Sequence, residues 1–242
     1  MHERERDRVA PALRGARRRI AALDLAAVRW VARVNSPALD RAMPALSEAA
    51  NHGKLWIALG ACLQATGNRR AGRAARRGLA SLAVASATAN IIGKGLASRR
   101  RPDAEVPAAR RLPHAPWTSS FPSGHAASAA AFAAGATMEM PELAAVACPL
   151  ALAVAASRVV TGVHYPSDVL AGLAIGTAAA ASTLLWWPRA AVAGSAVTAD
   201  PAISPRLAFD VALVCCLEPV QLADADGPRA VVFRRDLLVL PR

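Results

Sequence analysis

Apolar residues in this chain gather into runs that are separated by polar and basic segments. Beyond residue 50, five runs have the length of helices and few charged interruptions. Most are shorter than the roughly 20 residues of a full membrane span, so their helices must extend into flanking polar residues or lie in a locally thinned bilayer. The pattern predicts an all-α fold, an integral-membrane helical bundle with five strong spans; a soluble Ala-rich bundle is the alternative. The runs are residues 55–67, 78–93, 126–138, 143–157 and 169–187.

The segment before these runs has a weaker pattern. Residues 20–35 show helical periodicity, but Asp24, Arg29 and Arg33 interrupt it. An amphipathic helix lying in the membrane interface suits this pattern best, and a short, poor span is the alternative. No apolar core with a cleavage site follows the Arg-rich N-terminus, so we expect no cleaved signal peptide.

Changes in composition divide the chain into three parts. Residues 1–44 form a basic N-terminus with the amphipathic helix, and residues 45–188 form the membrane domain. Residues 189–242 form a tail to which the sequence assigns no role. Within the tail, residues 207–217 are apolar but interrupted, and residues 230–233 are strand-like.

The polar connections between the runs are of two kinds. Residues 68–77, with five Arg, and residues 139–142 are short, whereas residues 95–121 form a long, proline-rich loop and residues 158–168 a second polar loop. Successive spans alternate in direction, so we expect the two polar loops on one face of the membrane. Arginines are divided evenly between the faces, so the positive-inside rule orients the chain only weakly. A cytoplasmic N-terminus on the side of residues 68–77 requires residues 20–35 to cross, and that question stays open.

Composition narrows the classes of function. Hydrophobic residues make up 54% of the 242 residues and aromatic residues only 4%, which favours packed helices over a β-sandwich. The net charge of +12 suggests nucleic acid at first sight. The arginines, however, lie between apolar runs and do not interleave with aromatic side chains, so we expect no nucleic-acid partner. The four cysteines lack zinc-ligand or disulfide-framework spacing, and we expect neither a metal nor another cofactor.

Three polar clusters stand at the ends of the apolar runs, on the face that carries the two polar loops. Each alone has an ordinary structural interpretation: a solvated basic loop, a turn, and a histidine satisfied within the fold. Together they supply the cations, the backbone amides and the two histidines that phosphate chemistry uses. The clusters are residues 94–102, KGLASRRRP; residues 122–125, PSGH; and residues 157–168, SRVVTGVHYPSD.

The chemistry of each cluster is specific. Lysine and arginine offer charge and fork-shaped donors to a phosphate. Ser123 and Gly124 sit where a turn opens onto the third run, and backbone N–H groups there favour an anion. His125 and His164 can divide the roles of acid and nucleophile. Asp168, four residues after His164, can accept the far N–H of that imidazole and fix its tautomer.

These residues resemble the three-part signature of the type-2 phosphatidic acid phosphatases, which the vanadium haloperoxidases share. The resemblance covers residues 45–187 and extends to the phosphatase half of actinobacterial phosphatase–lipid kinase fusions, although the tail is too short for a kinase half. Every signature position is filled in order: Lys94-x6-Arg101-Pro102, Pro122-Ser123-Gly124-His125 and Ser157-Arg158-x5-His164-x3-Asp168.

The resemblance implies a role for each signature residue. His164 attacks phosphorus, Asp168 orients and charges that histidine, and His125 protonates the leaving group and then activates water. No metal takes part. The phosphoryl oxygens are held by Lys94, Arg101, Ser123, Gly124 and Arg158.

The function implied is metal-independent hydrolysis of a lipid phosphate or pyrophosphate through a phosphohistidine, at the plasma membrane, with the site on the extracytoplasmic face. The expected partners are the lipid phosphate substrate and the bilayer; the oligomeric state stays open. Phosphatidic acid, phosphatidylglycerol phosphate, polyprenyl diphosphate and polyprenyl-linked sugar phosphates all fit. The alternatives are a catalytically inactive membrane interaction protein, a class that typically lacks a signature histidine or arginine, and a vanadate-dependent haloperoxidase, a class that is soluble and larger.

Two residues outside the signature lie on the same predicted face. His52 and Lys54 stand at the start of the first apolar run. A cation and an imidazole there could contact a lipid headgroup or its diphosphate. The alternative is structural: Lys54 extends to the membrane interface and His52 is solvated.

Overall fold

The computed structural model describes residues 2–96, 99–113 and 119–187, and within the first range the side chains of residues 14–92. All regular structure in this part of the chain is helical, which confirms the all-α prediction. The tail, with its apolar and strand-like segments, lies outside the described residues. The helices are α1 His2–Arg33, α2 Pro37–Ala49, α3 Lys54–Ala65, α4 Arg69–Leu96, α5 Gly124–Glu139, α6 Ala144–Val160 and α7 Pro166–Ser182.

Helices α3 to α7 coincide with the five predicted apolar runs. The largest difference is at the start of α4, which begins at Arg69, inside the segment predicted as a polar connection. Arginine is a good helix former, so the basic residues extend the helix instead of ending it. The turn that precedes α4 is correspondingly short: α3 ends at Ala65, and Gly67 adopts a left-handed φ of 66°.

Two helical stretches are long and apolar enough to cross a membrane, Pro141–Val160 and Pro166–Leu185. They are the fourth and fifth predicted spans. The count of five is not confirmed, because α3 and α5 have only 12 and 16 residues and the 28-residue α4 opens with arginines.

Helix α5 lies at the centre of the bundle, against α4, α6 and α7. Phe132 of α5 and Trp56 of α3 are both buried, with ring centroids 5.3 Å apart. Helix α7 approaches still more closely, since a Cβ at Gly176 would fall 2.2 Å from the carbonyl oxygen of Ala127. Backbone therefore packs on backbone between α5 and α7, as small residues permit.

An ion-pair network holds together one end of the bundle. Arg77 is fully buried and donates from Nε to Glu139 Oε1 at 2.7 Å and from Nη1 to Thr183 Oγ1 at 2.9 Å. Arg73 donates to the other oxygen of Glu139 at 2.9 Å. These contacts join the start of α4 to the ends of α5 and α7. The three polar clusters therefore lie at the opposite end, where α4 and α6 finish and α5 and α7 begin.

The N-terminal helices differ most from the prediction. The predicted segment is residues 20–35; helix α1 ends at Arg33 and begins much earlier, at His2. Helix α2 was not predicted, although Ser36 caps it by accepting the Leu39 N–H at 3.3 Å and Pro37 is its first residue, an ordinary start signal.

Helix α1 also buries a residue that its sequence pattern assigns to solvent. Asp24 is 3% exposed, whereas Ile20, Leu23 and Trp30 are exposed on the outer surface. A buried carboxylate needs partners, and those of Asp24 belong to the site described next.

Candidate active site

Backbone and side-chain hydrogen bonds bring the three clusters together at one end of the bundle. The Ser123 N–H donates to the carbonyl oxygen of Asp168 at 3.0 Å, which joins the start of α5 to the start of α7. Arg101 donates to the carbonyl oxygens of Val163 at 2.9 Å and Ser119 at 3.2 Å. The clusters predicted on one face thus form a single site.

His164 is 5% exposed and lies in the turn between α6 and α7. Its Nδ1 is 2.5 Å from the carbonyl oxygen of Ser120. A carbonyl can only accept, so Nδ1 carries the proton and Nε2 keeps its lone pair. Sequence analysis expected Asp168 to accept this N–H. In the structure Asp168 Oδ2 is 3.9 Å from Nδ1, beyond hydrogen-bond distance, because the Ser120 carbonyl occupies that position.

The electrostatic surroundings keep His164 neutral. Burial lowers the pKa of His164 well below its ordinary value of 6.5, and the positive charges of Arg158 and Arg101 lower it further, with a smaller contribution from His125. A neutral imidazole with Nε2 unprotonated is the nucleophilic form.

Asp168 is completely buried at the third position of α7. Its Oδ2 accepts the Tyr165 N–H at 2.9 Å, which caps the helix. Its Oδ1 accepts from Nη1 of Arg99 at 2.5 Å. The carboxylate is therefore held between a helix cap and a guanidinium, behind the imidazole and not in hydrogen-bond contact with it.

His125 is the second residue of α5, and Ser123 caps that helix. The imidazole Nε2 of His125 is 2.8 Å from Oδ1 of Asn51, in the turn that precedes α3. A Cβ added to Gly124 would meet no heavy atom within 4 Å, so there is open space at the first turn of α5. The amides of a first turn have no partner within their helix and can bind an anion.

Comparison with known proteins places this arrangement in a family. The profile of the PAP2 superfamily matches residues 75–191. A decaprenylphosphoryl-5-phosphoribose phosphatase of Mycolicibacterium smegmatis is 39% identical over 132 residues, which cover 53% of this chain and 68% of that protein. The chain belongs to the PAP2 superfamily.

Two other relatives match over shorter stretches, and one solved structure matches over a longer one. The Mycobacterium tuberculosis protein of the same name is 44% identical over 95 residues, 38% of this chain and 50% of the relative, so the chain spans half of that relative's length. A lipid A 1-phosphatase of Rhizobium etli is 48% identical over 59 residues, 24% of this chain and 25% of the relative. The crystal structure of a transmembrane PAP2 type phosphatidylglycerolphosphate phosphatase from Bacillus subtilis superimposes with a TM-score of 0.50 at 23% identity, covering 69% and 85% of the two chains, a similarity of fold.

The structure describes the side chains of two of the three cations in the PAP2 signature. Arg158 is 1% exposed near the end of α6, and its guanidinium donates to the hydroxyl of Ser47 in α2. Arg101 lies in the loop after α4 and is half-buried. Both are close enough to influence His164 electrostatically. Lys94 belongs to the last turns of α4, but its side chain lies outside the described residues.

The predicted headgroup residues directly follow Asn51 in the sequence. His52 and Lys54 are both exposed, and His52 adopts a left-handed φ of 55°. Since Asn51 contacts His125, this turn lies beside the site. A headgroup role for His52 and Lys54 stays a prediction.

Several contacts at the site were absent from the sequence prediction. They come from residues that are not signature positions. Arg99 and Ser120 lie within or beside the signature segments, whereas the other three are distant in sequence and no spacing rule indicates that they lie near the site. In the described ranges no three His, Cys, Asp or Glu side chains form a metal-binding group, and the expectation of a metal-free site stays a prediction. The contacting residues are Asp24, Ser47, Asn51, Arg99 and Ser120.

Proposed function

We propose that this PAP2 protein is a membrane lipid phosphatase that hydrolyses a lipid phosphate or pyrophosphate through a phosphohistidine on His164. The observation that carries the proposal is the hydrogen bond from His164 Nδ1 to the Ser120 carbonyl. It leaves Nε2 as the basic nitrogen of a neutral imidazole beside two arginines. A nucleophile and phosphate-binding cations are thereby present together.

The proposed reaction has two steps. Nε2 of His164 forms a bond to phosphorus in line with the leaving oxygen, and the bond from phosphorus to that oxygen breaks. His125 enters the cycle as an imidazolium and gives the proton on its Nε2 to the departing alcohol or phosphate. Water then attacks the phosphohistidine, His125 takes a proton from the water, and inorganic phosphate leaves with the imidazole restored.

The cations stabilise the charge that spreads over the phosphoryl oxygens. Arg101 and Arg158 are held by protein oxygen atoms, so their guanidinium groups are fixed before the substrate binds. Lys94, Ser123 and the Gly124 N–H complete the proposed set. No step requires a metal, because side-chain cations supply the positive charge.

The surface of the bundle supports a membrane location. Large apolar side chains are exposed on α6, on α7 and in the turn that follows α7, with Leu152 60%, Leu170 65% and Leu185 88% exposed. Such an apolar surface suits lipid better than water. We propose that α3 to α7 all cross the bilayer, with polar ends extending into the interface, and that the active site lies on the extracytoplasmic face of the plasma membrane.

The substrate class follows from the proposed site and the relatives' names. The names of the relatives give a decaprenylphosphoryl sugar phosphate, lipid A and phosphatidylglycerolphosphate as the substrates of those proteins. All carry a phosphate on a lipid, and the proposed site is open at the end of the bundle where a headgroup would enter. We therefore propose a lipid-linked phosphate monoester or diphosphate as substrate.

Trapping the covalent intermediate tests the proposal. Purified wild-type protein in detergent, quenched during turnover of a radiolabelled phosphate ester, should carry acid-labile, base-stable phosphate. His164→Ala should lose both turnover and label. His125→Ala should retain label with p-nitrophenyl phosphate, whose leaving group needs no proton, and should release it slowly. Wild-type turnover by His164→Ala would overturn the mechanism.

A further inference from the structure

Asp24 of α1 accepts three hydrogen bonds, two from Ser167 at the start of α7 and one from Arg99 in the loop after α4. Its Oδ1 accepts the Ser167 N–H at 2.9 Å, and its Oδ2 accepts the Ser167 hydroxyl at 2.5 Å and Nη2 of Arg99 at 2.6 Å. The side chain is 4% exposed. Asp24 precedes residues 75–191, so the PAP2 profile does not include it.

Arg99 connects Asp24 to the site. Its Nη1 donates to Asp168 Oδ1 at 2.5 Å while its Nη2 donates to Asp24, so one guanidinium bridges two carboxylates. The same guanidinium lies over the Tyr165 ring, 4.1 Å from the centroid, which fixes its plane. Because the planar guanidinium is hydrogen-bonded along two edges, neither carboxylate can move freely.

The charges in this cluster have a direct consequence for His164. Arg99 alone would cancel the negative charge of Asp168, which the proposed mechanism needs behind the imidazole. Asp24 shares Arg99, so the three groups together carry a net charge of about −1 at neutral pH. Phosphoryl transfer to Nε2 leaves the ring positively charged, since Nδ1 keeps its proton. A net negative cluster stabilises that ring, and a neutral one does not.

We propose that Asp24 is a positioning residue for the Asp168–His164 pair: it shares Arg99 with Asp168 and so preserves the negative charge behind the nucleophile. This inference rests on the proposed phosphatase function. It also makes α1 part of the active-site framework. A purely structural role for Asp24, tying α1 to α7, makes different predictions.

Charge variants separate the two roles. Asp24→Asn leaves the Arg99–Asp168 pair neutral, and kcat for a small soluble phosphate ester should fall about 10- to 100-fold. Adding Arg99→Gln restores the net charge to −1, so the double variant should be several-fold more active than Asp24→Asn. A structural tie predicts a double variant no better than the single one.

The pH profile gives a readout that a structural role would not move. Relative to wild type, the acid limb of kcat/KM should shift to higher pH in Arg99→Gln, where the cluster carries −2, and return towards wild type in the double variant. This comparison does not require the Asp24→Asn single variant to fold. The other described charged or titratable groups around His164 are unchanged in these variants: Arg101, His125, Arg158 and Tyr165.

The control variant removes a different contact of α1, one that does not involve Asp24. Arg29 of α1 donates to Glu105 Oε2 at 2.9 Å, an exposed pair, and Glu105→Gln should leave kcat within about twofold of wild type. A wild-type protein without turnover or phosphoenzyme would refute the proposed function itself. Two results would overturn the proposed role of Asp24 while leaving the proposed function intact, provided that the wild-type protein is active. One is a wild-type kcat for Asp24→Asn; the other is an unchanged acid limb for Arg99→Gln.

Discussion

Oδ1 of Asn51 lies 2.8 Å from Nε2 of His125, although the two residues are 74 positions apart in the sequence. The contact joins the turn before α3 to the first turn of α5, and the amide lies at the nitrogen that the proposed mechanism uses for proton transfer. Asn51 therefore orients the His125 ring before a substrate binds. A leaving-group oxygen that approaches Nε2 has to displace or share this contact.

A substitution at Asn51 should affect substrates according to their need for an acid. An alkyl phosphate leaves poorly without a proton, whereas p-nitrophenolate leaves unaided. Asn51→Leu should lower kcat/KM, which does not include the later hydrolysis of the phosphohistidine, about tenfold or more for an alkyl phosphate and less than about threefold for p-nitrophenyl phosphate. Equal losses on both esters would show that Asn51 does not act through proton transfer.

The acid limb of activity should lie below pH 6.5. Burial and the nearby Arg158 and Arg101 lower the pKa of His164 from 6.5, and kcat/KM needs the neutral imidazole. As pH falls through 6.5 the nucleophile therefore stays unprotonated, and activity declines only once pH reaches the lowered pKa. The profile should be plotted against the concentration of dianionic substrate, which removes the substrate's own titration. An acid limb at or above pH 6.5 would contradict this.

Sequence reasoning identified the residues of the signature because their spacing is local to three short segments. The partners of those residues were not predictable in the same way. The Ser120 carbonyl that binds His164 belongs to a backbone whose path depends on packing, and Asp24 and Asn51 approach from helices and turns far along the chain. The spacing of four residues predicts that Asp168 accepts the His164 N–H; in the structure Asp168 Oδ2 is 3.9 Å from Nδ1, and the Ser120 carbonyl accepts that N–H instead.

The fold, like the site, was predictable where the signal is local and not where it depends on long-range packing. Apolar runs located α3 to α7 because buried helices need continuous apolar surface. The apolar pattern does not predict α2, although Ser36-Pro37 is an ordinary start signal, and it predicts too late a start for α4 because the basic residues before the apolar run resemble a polar connection. Asp24 interrupts the periodicity of residues 20–35 and favours an interfacial helix, yet α1 buries it, together with Val28.

The contact between α7 and α5 predicts a large effect of one methyl group. A Cβ at Gly176 would fall 2.2 Å from the Ala127 carbonyl, so Gly176→Ala must push two backbones apart. We expect a loss of about 1–3 kcal/mol in unfolding free energy, measured in detergent as a lower Tm. Gly15→Ala in α1 is the matched control, because its Cβ would meet nothing within 4 Å, and it should leave Tm unchanged or raise it. A wild-type Tm for Gly176→Ala would show that the helices are farther apart.

Inhibition experiments should show whether side-chain cations or a metal ion stabilise the charge of the phosphoryl group. Vanadate should compete with substrate, because its five-coordinate form matches in-line transfer to His164. EDTA should leave activity unchanged, since the proposed phosphate site uses Arg101 and Arg158. His164→Ala provides the control for vanadate, because loss of the nucleophile should weaken vanadate binding. Loss of activity with EDTA and its return with Mg²⁺ would contradict the metal-free mechanism.

His52 and Lys54 provide the test of headgroup recognition. Both are exposed beside Asn51, next to the site but outside the PAP2 signature. If they bind the charged headgroup, His52→Ala or Lys54→Ala should raise KM for a lipid phosphate several-fold and leave KM for a small soluble ester unchanged, because binding remote from the reacting phosphorus is lost. Lys54→Arg keeps the charge and should retain lipid KM. If Lys54 only extends its amine to the interface and His52 is only solvated, the alanine variants will alter neither KM. Equal increases for both substrates would place these residues at the phosphate itself, and headgroup selection would then have to come from other residues around the entrance.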